Sequence, residues 1–141
     1  MDEKTIKEKS DEFKKDRVNI DKSKVIYMYM ERSGELGKLE IGFRGTPLYI
    51  NKDIESIEQT FSKIKEQLVW QKDKEFVDYT TESFELIIDV ADLEFVALLE
   101  NGNGWLLKIG LGARYIEFKN EYNALRPLRN RLKNALKQKM Q

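Results

Sequence analysis

Neither cysteine nor histidine occurs among the 141 residues, and each absence closes off chemistry. Without cysteine there is no disulfide framework, no thiolate metal site and no thiol nucleophile. Without histidine the chain lacks the usual general base near neutral pH and the commonest zinc and copper ligand. It also lacks any Ser-His or Cys-His catalytic pair. No metal or cofactor is expected on these grounds. No apolar stretch approaches the roughly 20 residues of a membrane-spanning helix, and the opening Met1-Asp-Glu-Lys-Thr-Ile-Lys-Glu-Lys9 lacks the apolar centre of a signal peptide. A cytoplasmic protein with no membrane partner is the expectation. Prolines number only two, and no low-complexity run interrupts the chain.

What is present is 40% hydrophobic and 35% charged, the composition of a folded domain with a densely charged surface. A chain of this length buries about two thirds of the surface its unfolded form exposes, so a core forms without staples. The net charge is zero but unevenly laid out. Residues 75–107 hold eight acids and no base, residues 108–141 hold nine bases against two acids, and the first 74 residues carry +1. The first expectation from this layout is that the basic end packs near the acidic middle and the two neutralise each other. The second is a dipolar surface that steers a charged partner.

Residues 1–20 read as a charged N-terminal helix or flexible tail, with six acids and six bases between positions 2 and 17. Residues 21–141 read as a single α+β domain. Lys24-Val-Ile-Tyr-Met-Tyr-Met-Glu31 is apolar on both faces, which suits a central strand. Ser33-Gly34 turns the chain into the alternating Lys38-Leu-Glu-Ile-Gly-Phe-Arg44, with Leu39, Ile41 and Phe43 inward. A short strand follows at Leu48-Tyr-Ile50. Asn51 or Asp53 then caps a helix whose apolar positions Ile54, Ile57, Phe61, Ile64 and Leu68 recur every three or four residues. Residues 71–80 read as charged linker. Strands are predicted at Phe84–Val90, Glu94–Leu99, Trp105–Ile109 and Arg114–Phe118. Asn120 or Asn123 opens a last helix with Leu125, Leu128, Leu132, Leu136 and Met140 on one stripe. The predicted architecture is a mostly antiparallel sheet of five to seven strands with helices packed on it, in the order α-βββ-α-ββββ-α.

Asn101-Gly-Asn-Gly104 and Gly110-Leu-Gly112 raise the question of a phosphate loop. Neither has the third glycine of a dinucleotide fingerprint, and Lys108 stands at strand periodicity rather than at a helix start. Asn-Gly between two apolar runs is a hairpin signal, so the stretch reads as a turn, with Gly110 and Gly112 marking a bulge or second bend. Asp89 with Glu117-Phe-Lys119 resembles the metal-binding arrangement of the restriction-type nuclease fold, which would imply two acids on a hard cation and a lysine beside the nucleophile. The Pro-Asp element of that arrangement is missing, because Asp89 follows Ile88. Tyr27 and Tyr29 share one strand face and can stack bases, but core packing is their default.

The charged positions carry the functional reading. Glu82, Glu85, Asp89, Asp92 and Glu94 form an acidic group. Arg126, Arg129, Lys133 and Lys137 fall within an arc of about 80° on the last helix, a basic ridge beside the leucine stripe. The expected function is a non-enzymatic protein-binding module of the small inhibitor, immunity or anti-defence kind, engaging a larger macromolecule through these charges. The 18 lysines against 7 arginines suit an AT-rich bacterial or phage genome. A nucleic-acid-binding protein using the basic helix is the alternative, followed by the metal-dependent nuclease.

Overall fold

The structure is a computed structural model, and it describes residues 18–112 and 114–141. The predicted N-terminal helix or tail lies almost wholly outside them. The fold is α+β, and the described residues form eight strands and two helices: β1 (Tyr27–Ser33), β2 (Leu36–Gly42), β3 (Leu48–Asp53), α1 (Ile54–Val69), β4 (Phe76–Thr80), β5 (Phe84–Asp89), β6 (Leu93–Asn101), β7 (Gly104–Leu111), β8 (Arg114–Asn120) and α2 (Tyr122–Met140). They form two antiparallel sheets, a larger one in the order β3-β2-β1-β5-β4 and a smaller one in the order β6-β7-β8.

β1 is the central strand of the larger sheet, as its two apolar faces require. Met28 and Met30 turn one way and meet Leu39, Ile41 and Ile87 together with the α1 stripe Ile57, Phe61, Ile64 and Leu68. Tyr27 turns the other way and joins Leu86 and Ile88 in a second core. That core also holds Leu107, Ile109 and Leu111 of β7 and Leu125, Leu128 and Leu132 of α2. The molecule is therefore layered, with α1 on one face of the larger sheet and the smaller sheet with α2 on the other. Among the described residues no helix is long and apolar enough to cross a membrane.

Local signals explain most element ends. The Asp53 carboxylate accepts from the Ser56 N–H at 3.0 Å, so Asp53 rather than Asn51 caps α1. Asn101 faces Gly104 across a two-residue turn in which Gly102 takes φ +62, which settles the glycine-rich stretch as a hairpin. Gly112 bends the chain between β7 and β8 in the same left-handed region. Gly110 has a different reason: a Cβ there would come within 2.2 Å of the Phe95 ring, which lies over it beside a register shift in β6.

Four expectations need correction. Residues 71–80 are not all linker, because Phe76–Thr80 pairs with β5 as an edge strand. That strand buries only Val77 fully, so its short pattern is submerged in the surrounding charge. The strand at Phe84 ends at Asp89, and Val90–Asp92 form a 3-10 turn. On α2 the buried stripe runs Leu125, Leu128, Leu132, Ala135, while Met140 is 77% exposed at the helix end. Neither asparagine caps α2: Glu121 precedes it with no side-chain cap, and Pro127 sits in the second turn. The Pro127 ring leaves the Asn123 carbonyl without its helical donor, a local cost that the buried leucines on either side offset.

Candidate functional site

The two charge groups do not neutralise each other as expected. The acids that are paired use lysines from α1 and the segment after it. Lys65 of α1 bonds both Asp78 and Glu85, the latter at 2.6 Å, and Lys74 lies 3.3 Å from Asp89. Partial burial pulls the Lys65 pKa down, but the hydrogen bonds to Asp78 and Glu85 outweigh it and hold it above the usual lysine value. Helix α2 does pack beside the acidic segment, yet it docks there on main-chain carbonyls. Arg131 donates to the Asp78 carbonyl, and Lys139 donates to those of Ala91 and Leu93 at 2.6 and 2.8 Å.

The predicted site residues therefore divide. Asp89 is 2% exposed and is spent on structure, its carboxylate accepting from the Ala91 N–H at 3.0 Å to start the 3-10 turn. Glu85 is largely covered by its ion pair. Glu82 and Glu94 are exposed and Asp92 is half-buried. On α2, Arg126, Lys133 and Lys137 are exposed, and Arg129 is half-buried with its Nε on the Asn130 side chain. Among the described residues none of these four pairs with a carboxylate. Taking about 100° per residue, Arg131 lies some 160° around the helix from the ridge centre, so the anchoring cation and the ridge occupy opposite flanks.

The two acids of the nuclease arrangement are engaged separately. Asp89 closes β5 in the larger sheet, while Glu117 on β8 pairs with Lys108 of β7 at 3.2 Å. Among the described residues no three acids converge as metal ligands do. The two tyrosines are core residues first. Tyr27 is buried with its hydroxyl on Glu40, and Tyr29 packs against Phe84 and Phe118 at ring separations of 5.7 and 4.9 Å.

A further feature arises where the two sheets meet. The core that the larger sheet shares with the smaller sheet and α2 draws on β1, β4 and β5 but on no residue of β2 or β3, so among the described residues the β2–β3 side overhangs. Between that overhang and β8 lies a cleft of about 970 Å³. Tyr27, Tyr29, Glu31, Glu40 and Tyr49 form one wall and residues 114–120 the other. Burial raises the pKa of both Tyr27 and Tyr29, aided by Glu40 at the first and Glu31 at the second. Both hydroxyls are kept neutral in the fold, whereas in the unfolded chain they ionise near pH 10. The folded state thus binds more protons than the unfolded one above pH 10, and stability is expected to fall as pH rises through that range. Urea midpoints measured between pH 8 and 11 check this; a flat profile contradicts it. The only advance signal of the cleft is the Tyr-x-Tyr-x-Glu period of β1, which shares a face but does not say what stands opposite.

Comparison with family models, curated proteins and solved structures yields no match for this chain.

Proposed function

We propose that the protein is a non-enzymatic protein-binding module, of the small inhibitor or immunity kind, that engages a larger macromolecule through the flank of α2 bearing Arg126, Arg129, Lys133 and Lys137. The observation that carries the reading is the state of those four cations. Helix α2 has six bases and no acid, and the two that hold it to the body, Arg131 and Lys139, use carbonyls. The remaining four lie along about 16 Å of helix without a carboxylate partner among the described residues. Cations left unpaired on a rigid, leucine-anchored helix are preorganised for an anionic surface, at little ordering cost on binding. The exposed acids Glu82 and Glu94 make the surface mixed in sign, which suits a protein partner better than a uniformly charged nucleic acid.

Reversing the ridge tests this. Arg126→Glu with Lys133→Glu and Lys137→Glu is expected to reduce capture of a partner protein from host lysate at about 0.15 M salt by tenfold or more, with thermal unfolding little changed because all three are exposed. Equal capture by wild type and variant would remove the ridge from the interface. Retention of nuclease-sensitive material that washes off with salt would move the reading to nucleic acid.

A further inference from the structure

The cleft and the free edge of β8 point to a second binding site, independent of the α2 ridge. β8 pairs with β7 on one side and has no strand on the other among the described residues. The cleft is lined by consecutive β8 residues from both faces of the strand, so it follows the strand's edge rather than one of its faces. Its volume falls within the range of sites that enclose ligands. A fourth strand placed about 4.8 Å beyond β8 would lie beneath the overhanging β2–β3 side of the larger sheet and reduce the mismatch between five strands and three. Protection differs between edges: the β4 edge gives its Asp78 carbonyl to Arg131, whereas the described residues leave β8 open to the cleft.

The charge of the facing wall selects the occupant. On β8 the side chains of Tyr115, Glu117 and Lys119 belong to the face away from the core, and Glu117 is paired with Lys108. On the larger sheet the wall presents Glu31 and Glu40, with Arg114 as the one cation on the core side of β8. Glu40 accepts from Tyr27, while Glu31 has no cation within ion-pair distance among the described residues. We propose that β8 accepts an extended segment of a partner protein as a fourth strand, with a lysine or arginine of that segment turned toward Glu31. Main-chain hydrogen bonds along β8 supply affinity, and the carboxylate supplies the preference for a cation.

The test uses the full chain and synthetic probes. Acetyl-Val-Lys-Val-Lys-Val-Lys-Val-amide is compared with its glutamate-for-lysine counterpart and with two N-methylated forms, each blocked on alternate residues along one edge. Amide exchange and backbone chemical shifts of the protein are the readouts. The lysine peptide is expected to slow exchange at alternate β8 amides, to lose binding when one edge is methylated but not the other, and to bind about tenfold more weakly to Glu31→Gln. The glutamate peptide is expected to leave β8 unchanged. Absent β8 protection, equal binding of both methylated forms, or undiminished binding to Glu31→Gln overturns the proposal. Protection of β8 that grows with protein concentration without peptide, with a doubled mass in sedimentation, would assign the edge to a second copy instead. The α2 charge-reversal variant is expected to keep peptide binding, so the two sites fail or stand separately.

Discussion

Phe61→Ala is expected to lower the unfolding free energy by about 3–5 kcal/mol, the largest loss from any single substitution considered for this protein. Phe61 is almost fully buried at the middle of the α1 stripe, over Met28, Met30, Leu39 and Ile41. Those residues come from β1 and β2, and α1 is what covers that face of the larger sheet. Removing the ring loses its transfer free energy and leaves a cavity that two sheet strands and a capped helix cannot close by collapsing. Urea unfolding should show a lower midpoint with an unchanged slope. A loss under about 1 kcal/mol would mean that α1 is not seated as described. Met140→Ala is the control, expected to change stability by no more than about 0.5 kcal/mol, because Met140 lies on the sequence stripe but stands in solvent.

Gly42→Ala is expected to cost at least the upper part of the range of about 1–3 kcal/mol usual for overpacking. A Cβ at position 42 would fall 1.9 to 2.5 Å from three atoms of the Tyr27 ring, which stands directly opposite across the β1–β2 pair. That ring is 2% exposed and its hydroxyl donates to Glu40, so moving it away from the new Cβ breaks that hydrogen bond. Gly110→Ala provides the contrast. Its Cβ would meet the Phe95 ring at 2.2 Å, but Phe95 is on an edge strand and 43% exposed, so the ring can swing into solvent. Thermal unfolding of the two variants should rank Gly42→Ala clearly below Gly110→Ala, and equal losses would contradict the difference in ring freedom. Because Tyr27 and Glu40 both line the cleft, Gly42→Ala should also weaken binding of the lysine peptide.

Much of the architecture was legible residue by residue. The two apolar faces of Lys24–Glu31 announced a central strand, and β1 is one. The spacing of Ile57, Phe61, Ile64 and Leu68 marked the buried face of α1, and Asn-Gly between apolar runs marked the β6–β7 turn. The edge strand Phe76–Thr80 was not legible, since one fully buried valine is too short a pattern to stand out from its charged neighbours. The fate of the charges was not legible either. Asp89, Glu82 and Glu94 look alike in a list of acids, yet the first caps a buried turn and the other two remain in solvent.

Sequence alone determined the classes of chemistry closed to this chain, the hairpin in place of a phosphate loop, and the faces of most helices and strands. These depend on residue type and on local period, which are properties of short segments. Only the tertiary structure decided that the strands divide into five and three, that Lys65 and Lys74 rather than α2 pair with the acidic segment, and that β8 faces a cleft beneath an overhanging sheet. Those outcomes depend on which distant segments stand opposite one another. Ion pairs and clefts form between elements far apart in sequence, and the period of any one element carries no record of what it will meet.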